Sequence, residues 1–324
     1  MTRQMVPVIP RLYDTLIGEH CKRQRQMAFV AGPRQVGKTT TCRKHATAYL
    51  NWDNLDHRRL LLAGPAEVAA HLGLAELREV APVVVLDELH KYGRWKTFLK
   101  GFFDTYGDRV RLLVTGSSRL DVYRRGGDSL MGRYLLYRMH PLSVGELLRQ
   151  DVAAEPVRKP ASLADDALEA LLTHGGYPEP FLTRDRRFTT RWHRLRTQQV
   201  LREEVRDVTR IHELSQVEHL GLILAERSGS ALVLSNLAAE VQVSVDTLRR
   251  WVETLTALHW GFVVRPYYRN VAKALRKEPK WFLRDWSACS EPGARAETFV
   301  ACHLPKAVEA WEDMGFGRFE LRYV

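Results

Sequence analysis

The sequence is poor in the features that mark secreted, zinc-binding and membrane proteins. Its four cysteines are scattered and form no C-x-x-C pair, which argues against a disulfide framework and a cysteine zinc site and favours a reducing compartment. No apolar run approaches the ~18–20 residues of a membrane span, and the N-terminus shows no apolar segment with a small-residue cleavage site. We therefore expect a cytoplasmic protein with no membrane partner.

Positive charge is what the chain has in excess. Lysine and arginine total 49 against 38 aspartates and glutamates, which gives a formal net charge of +11. A surplus of this size favours polyanionic partners, nucleic acid above all, although it says nothing about the fold. At 324 residues the chain is also long enough for two or three domains.

Short apolar runs alternate with helical patterns over the first 150 residues. The runs at 26–32, 80–88, 109–118 and 133–143 predict buried strands, each separated from the next by residues of helical pattern. This alternation is typical of a parallel sheet covered on both faces, so we expect the α/β class. The polar, Pro- and Ala-rich residues 151–166 indicate a domain boundary.

The stretch AGPRQVGKTT (31–40) predicts a nucleotide site. Gly32, Gly37, Lys38 and Thr39 match G-x-x-x-x-G-K-[ST], and the motif lies between an apolar strand and a helix. Such a loop turns backbone N–H groups toward phosphates, and the helix N-terminus adds partial positive charge. We expect ATP as the ligand, with Lys38 at its β- and γ-phosphates and the Thr39 hydroxyl on Mg²⁺. The other residues predicted to line the nucleotide are Pro33, Arg34, Gln35, Val36 and Thr40.

A second motif, VVVLDE (83–88), predicts hydrolysis. The apolar strand ends in Asp87, which would hold Mg²⁺ directly or through water, and Glu88 follows, placed to polarise an attacking water. A transferase would not need this glutamate, whereas a hydrolase would. We therefore predict an ATPase with Glu88 and Lys38 as catalytic residues.

Two further catalytic groups are expected nearby. Either Thr115 or Ser117, at the end of the third strand, is predicted to sense the γ-phosphate or the water. Arg133, just before the fourth strand, is predicted to stabilise transition-state charge within the chain or across a subunit interface. Its rivals for that role are Arg119, Arg124 and Arg125.

These motifs carry a family resemblance. AGPRQVGKTT, VVVLDELHKY, LLVTGSS followed by LMGRYLLYRMHPLSVGEL, and HGGYPEPF resemble a family of bacterial and archaeal AAA-type ATPases that carry a C-terminal region of unknown function. The resemblance covers nearly the whole chain. It implies an AAA-type P-loop core (1–150), a helical lid with a basic helix (151–214), a winged helix (215–268) and a C-terminal segment (269–324). It also implies the roles given above for Lys38, Thr39, Asp87 and Glu88.

Two segments of the C-terminal half favour DNA as a partner. Residues 215–268 have the layout of a winged helix-turn-helix, whose second capped helix would present Asp246, Arg249 and Arg250 to DNA. The stretch 184–210 holds nine arginines against four carboxylates, so its Arg191 and Arg194 are candidates for phosphate contacts. The aromatic residues of this stretch, Trp192 and Phe188, could stack on bases. The alternatives are a winged helix that packs on other domains and a basic helix whose arginines pair with its own carboxylates.

The last segment resembles the start of a PD-(D/E)xK nuclease fold. The resemblance implies a strand at KWFLRD, a helix that carries Glu297 and a further strand at FELRYV. Because the metal-binding part of that fold would follow Val324, we expect no cleavage of DNA by this chain. The predicted function is an ATPase that couples nucleotide state to DNA, to a protein partner or to a second copy of itself. The alternatives are the ATPase module of a nuclease- or helicase-like enzyme and a nucleotide-regulated scaffold.

Overall fold

The computed structural model describes residues 9–76, 78–116, 130–208, 213–267 and 277–324. It divides into two compact units. The N-terminal unit comprises Met1–His140 and Arg149–Glu155, and the C-terminal unit comprises Pro141–Leu148 and Pro156–Val324. Within the described ranges, no helix is long and apolar enough to cross a membrane.

The N-terminal unit is built on a five-stranded parallel sheet. Its strands are β1 (Met27–Ala31), β2 (Ala48–Asn51), β3 (Val83–Asp87), β4 (Arg111–Thr115) and β5 (Tyr134–Arg138). They lie in the order β2-β3-β4-β1-β5, and every neighbouring pair is parallel. The helices of this unit are α1 (Leu12–Arg23), α2 (Lys38–Arg43), α3 (Leu55–Ala63), α4 (Pro65–His71) and α5 (Trp95–Tyr106). The predicted α/β class with a parallel sheet is confirmed.

Burial along the strands follows from this order. All five residues of β1 are buried because β4 and β5 flank it and apolar side chains pack on its faces. β5 is an edge strand, and its Leu135 is 41 % exposed. The apolar side chains of α5 recur every three or four residues and lie in the same core, as expected for an amphipathic helix. Residues 118–127, whose helical pattern separates the last two predicted strands, lie outside the described residues.

The C-terminal unit is mainly helical. Its helices are α6 (Val144–Leu148), α7 (Asp165–His174), α8 (Pro178–Thr183), α9 (Arg186–Gln198), α10 (Val205–Val208), α11 (Leu214–Glu226), α12 (Leu234–Val241), α13 (Val245–Ala257) and α14 (Pro292–Asp313). A π-helical stretch, Gln199–Glu204, joins α9 to α10. The strands are β6 (Gly261–Pro266), β7 (Lys280–Leu283) and β8 (Arg322–Tyr323), in the order β7-β6-β8.

β7 pairs with a strand of the segment that precedes it. It was expected to open a separate nuclease-like segment, but it pairs antiparallel with β6, with Phe282 opposite Phe262. Trp281 of β7 is fully buried in the same cluster as Leu248 of α13. The predicted boundary at 268/269 therefore falls between two paired strands. Strand pairing is non-local, so the periodicity of a short apolar run does not reveal its neighbour.

Candidate functional site

The loop between β1 and α2 has a backbone that requires glycine at two positions. Gly32 has a φ of 137°, and a Cβ there would lie 2.1 Å from the Met139 carbonyl oxygen. Gly37 is in the left-handed region at φ 97°, immediately before Lys38 begins α2. The Met139 N–H donates to the Ala31 carbonyl, which holds the chain after β5 against the start of the loop. The motif glycines thus let this loop pass closely beside a second backbone segment.

Lys38 lies inside the loop. The residue is 7 % exposed. Its Nζ donates to the carbonyls of Gly32 (2.9 Å) and Pro33 (2.7 Å). The remaining loop residues differ in exposure: Gln35 and Thr40 are exposed and Arg34 is half-buried. The ammonium group is therefore held where the loop backbone converges.

Asp87 collects hydroxyl groups from three other elements. It ends β3, in register with Thr115 at the end of β4. Thr39 of α2 donates to both carboxylate oxygens at 3.2 and 3.1 Å, Tyr49 of β2 donates to Oδ2 at 2.6 Å, and Thr115 donates to Oδ1. Because the carboxyl ends of parallel strands meet at one sheet edge, residues far apart in sequence converge here. Thr39 and Asp87, the predicted Mg²⁺ ligands, are thus in direct contact.

Glu88 leaves the strand in an unusual backbone conformation. Its φ of 56° is left-handed, which costs a residue with a Cβ roughly 1–2 kcal/mol. Its N–H donates to the Thr115 carbonyl at 3.1 Å, and its carboxylate lies 3.1 Å from Lys91 Nζ. Burial works against the Lys91 ammonium, but hydrogen bonds to Asp53 and Glu88 leave the pKa of Lys91 raised. A cation thus stays beside the Glu88 carboxylate.

Two contributors to this site were not predicted from the sequence. Arg11 is 4 % exposed, and its guanidinium donates to the Val36 carbonyl and, at 2.6 Å, to the His140 carbonyl. It therefore ties the phosphate-loop backbone to the chain that follows β5. Tyr49 is the second; burial first, and then its hydrogen bond to Asp87, raises the pKa of its hydroxyl. Neither has a local motif, because both contacts span long sequence separations.

The predicted arginine lies elsewhere on the sheet. Arg133 precedes β5, and its carbonyl accepts from Met27 at the start of β1. The phosphate loop follows the other end of β1, five residues or roughly 16 Å away. Arg133 instead makes a bidentate ion pair with Asp104, at 2.7 and 3.0 Å. Contact with a phosphate in the same chain is excluded by this separation, and a role across an interface stays a prediction. Ser117, Arg119, Arg124 and Arg125 lie outside the described residues.

The residues predicted to meet nucleic acid are on the surface of the C-terminal unit. Arg191 and Arg194 of α9 are exposed, as are Asp246, Arg249 and Arg250 of α13. Arg249 pairs with Asp246 at 2.8 Å within α13.

Trp192 is different: it is only 5 % exposed and packs on the Tyr177 ring at a centroid distance of 4.9 Å. The prediction that Trp192 stacks on bases is therefore wrong, because this side of α9 faces the core.

Among the described residues, no cluster of three or more His, Cys, Asp and Glu could hold a metal ion.

Two family models match different parts of the chain. A family model described as an AAA domain matches residues 24–148, and one described as a domain of unknown function (DUF8612) matches residues 165–290. Two curated relatives, uncharacterized proteins of Mycobacterium bovis and Mycobacterium tuberculosis, are each 25 % identical over 294 residues, which is 88 % of this chain. The chain spans 60 % of the length of these relatives.

Solved structures resemble the chain only distantly. C. elegans PCH-2 has a TM-score of 0.31 at 15 % identity, covering 74 % of this chain and 66 % of that one. The S. cerevisiae Hsp104-ADP complex has a TM-score of 0.36 at 14 % identity, covering 96 % and 44 %. Drosophila ORC bound to AT-rich DNA and Cdc6 has a TM-score of 0.28 at 9 % identity, covering 90 % and 92 %. Residues 24–148 match an AAA domain, and together with the parallel sheet and the glycine loop before α2 this match supports a nucleotide-binding domain with the P-loop NTPase fold.

Proposed function

We propose that the protein binds and hydrolyses ATP at the carboxyl edge of the sheet. The observation that carries this proposal is the convergence of the Thr39, Thr115 and Tyr49 hydroxyls on Asp87, beside the loop that holds Lys38. Residues from four elements meet at one edge, next to a helix N-terminus suited to phosphate. A loop of structural glycines alone would not require this polar cluster.

Each residue has a role that follows from its position. Lys38 exchanges its carbonyl partners, Gly32 and Pro33, for the β- and γ-phosphate oxygens of ATP. Thr39 and Asp87 supply the hard oxygen donors that suit Mg²⁺, which when bound neutralises charge on the phosphates. Glu88 accepts the proton of the water that attacks the γ-phosphorus. Its neighbour Lys91 orients the Glu88 carboxylate through their 3.1 Å contact.

Steady-state hydrolysis by Lys38→Ala and Glu88→Gln tests this proposal. We expect Lys38→Ala to lose nucleotide binding and hydrolysis together. Glu88→Gln should keep nucleotide binding but lose about 10²–10⁴-fold in kcat, the usual contribution of a general base. Glu67→Gln, on an exposed position of α4, is the matched control and should behave as the wild type. A Glu88→Gln protein that hydrolyses ATP at the wild-type rate contradicts the assignment, and tight binding with no wild-type hydrolysis favours the scaffold alternative.

We further propose that nucleotide state is coupled to DNA. The order α11, α12, α13, β6, β7, in which Ser244 Oγ accepts from the Thr247 N–H at the start of α13, supports a winged helix-turn-helix. The test is the hydrolysis rate with and without duplex DNA. A several-fold rise supports coupling, whereas an unchanged rate favours a protein partner or a second copy of the chain.

The nuclease alternative has less support. Glu297 of α14, the acidic residue that the nuclease resemblance singled out, forms an ion pair with Lys280 at 2.8 Å.

A role for Arg133 in a neighbouring copy remains part of the proposal. It predicts that the specific hydrolysis rate rises with protein concentration in the wild type and not in Arg133→Ala.

A further inference from the structure

The helix α9 has two faces of opposite character. One face is buried: Thr189, Trp192 and Arg196 are each at most 5 % exposed. The Arg196 guanidinium lies 4.1 Å from the Tyr177 ring centroid and donates to the Tyr177 hydroxyl. These contacts fix the rotation of α9 about its axis.

The other face presents four arginines to solvent. Arg186, Arg187, Arg191 and Arg194 are all exposed, and α9 contains no aspartate or glutamate. In the described part of the chain, none of the four guanidinium groups makes an ion pair or a side-chain hydrogen bond. Counting the described residues alone, this face carries four positive charges that no carboxylate pairs.

The arginines just outside α9 behave differently. Arg184 pairs with Asp166 at 3.0 Å, and Arg202 pairs with Glu218 at 2.8 Å. Like charges three or four residues apart destabilise a helix by a few tenths of a kcal/mol per pair. Arg184 and Arg202 thus have described carboxylate partners, whereas the four exposed arginines of α9 have none among the described residues, which points to an anionic partner.

The predicted recognition helix, α13, is electrostatically neutral by comparison. Its exposed charged residues are Asp246, Arg249, Arg250 and Glu253, two of each sign. Asp246 already pairs with Arg249 at 2.8 Å, and Arg250 donates to the Thr247 hydroxyl at 3.2 Å. A neutral face gives no electrostatic attraction to phosphate.

We propose that the exposed face of α9, through Arg187, Arg191 and Arg194, is the surface that binds the phosphate backbone of double-stranded DNA. These residues, at positions i, i+4 and i+7, span about 10 Å along the helix. One DNA strand presents a phosphate every ~3.4 Å of axis, so this face passes about three phosphates. Trp192 is buried, and Phe188, the other predicted stacking residue, is half-buried. No aromatic ring of α9 is therefore fully exposed for base stacking, which favours a duplex over a single strand. The inference rests on the proposed binding of DNA and is independent of ATP hydrolysis.

Fluorescence anisotropy with a labelled duplex of random sequence, measured over a range of KCl concentrations, tests the proposal. Replacing three phosphate-contacting arginines in Arg187→Gln/Arg191→Gln/Arg194→Gln should reduce the slope of log K against log[salt] by about 2.7. At 0.1 M salt this corresponds to a loss of roughly several hundred-fold in affinity. The triple lysine variant at the same positions keeps the charges and should retain the wild-type slope.

The control and the opposing outcomes are defined by the same data. The comparison variant is Arg249→Gln/Arg250→Gln on α13, the helix that the sequence predicted to meet DNA. It should bind within about twofold of the wild type, and a loss as large as that of the triple glutamine variant would assign the phosphate contacts to α13 instead. The proposal is overturned if the triple glutamine variant keeps the wild-type slope, or if a single strand of equal phosphate number competes better than the duplex. Hydrolysis without DNA, measured on the same variants, should equal the wild-type rate. If the salt-dependent duplex binding stands while hydrolysis is absent, the ATPase proposal and its coupling to DNA fail, and the assignment of α9 as the duplex-binding surface stands.

Discussion

Lys306 of α14 and Glu146 of α6 form a buried ion pair in the C-terminal unit. The lysine Nζ lies 2.5 Å from Glu146 Oε2 and donates to the Pro141 carbonyl at 2.7 Å. The two side chains are 6 % and 1 % exposed. We predict that removing either residue alone strongly lowers the free energy of unfolding, whereas removing both residues together changes it little.

The expected free energies follow from burial. Lys306→Met leaves the Glu146 carboxylate buried without its cation, which should lower the free energy of unfolding by about 3–5 kcal/mol. Glu146→Leu should cost a similar amount, because it leaves the buried ammonium group without its counter-charge. Replacing both residues, as Lys306→Met/Glu146→Leu, removes the desolvation cost as well as the attraction, so the double variant should lie within about 2 kcal/mol of the wild type. The residual loss reflects the Pro141 carbonyl, which loses a donor in both lysine variants.

Urea unfolding followed by tryptophan fluorescence measures this cycle. Six of the eight tryptophans lie in the C-terminal unit, so the signal mainly reports the part of the chain that contains the pair. A single substitution should also lower Tm by roughly 6–20 °C, at 2–4 °C per kcal/mol. The reasoning is refuted if Lys306→Met costs less than about 1 kcal/mol, or if the two single losses add up in the double variant.

Three further predictions follow from single residues. Gly32→Ala should weaken ATP binding at least tenfold in a fluorescent-nucleotide titration, because its Cβ would clash with the Met139 carbonyl; unchanged affinity would contradict the loop geometry. Arg11→Met removes both donors that brace the loop and should raise KM for ATP, with only partial recovery in Arg11→Lys, since a lysine cannot reach two carbonyls in a fork. Burial lowers the pKa of His303 to about 4, below its unfolded value of ~6.5. The neutral ring therefore contributes up to ~3 kcal/mol of stability that is complete above pH ~6.5 and is lost as the pH falls toward 4. Unfolding at pH 4.5 and 7.5 should show this difference in the wild type, and His303→Gln should reduce it.

The phosphate loop and the strand end at Asp87 were predictable because their signals are local. A glycine-rich motif of this spacing between an apolar strand and a helix is typical of a phosphate-binding loop. An apolar run that ends in Asp-Glu indicates the carboxyl end of a strand. The alternation of strands and helices predicted the parallel sheet for the same reason. In each case the property depends on residues that are neighbours in the sequence.

Local sequence patterns could not predict the roles of Arg11 and Tyr49 or the partner of β7. Arg11 reaches Val36 and His140 across 25 and 129 residues of sequence, and the Tyr49 hydroxyl reaches Asp87 across 38. The rotation of α9 is a similar case. Its pattern is amphipathic, but only packing against Tyr177 shows that Trp192 faces the core and that Arg191 faces solvent.

By itself, the sequence determined the α/β class, the phosphate loop and the acidic residues at the end of β3, because backbone constraints and periodicity act over a few residues. The tertiary structure decided which side chains meet Asp87, which end of the sheet Arg133 occupies and which face of α9 its exposed arginines share. These depend on strand order and helix rotation, which are set by the burial of apolar surface across the whole chain. Local motifs therefore identify the reactive residues of the site, and the fold brings these residues together.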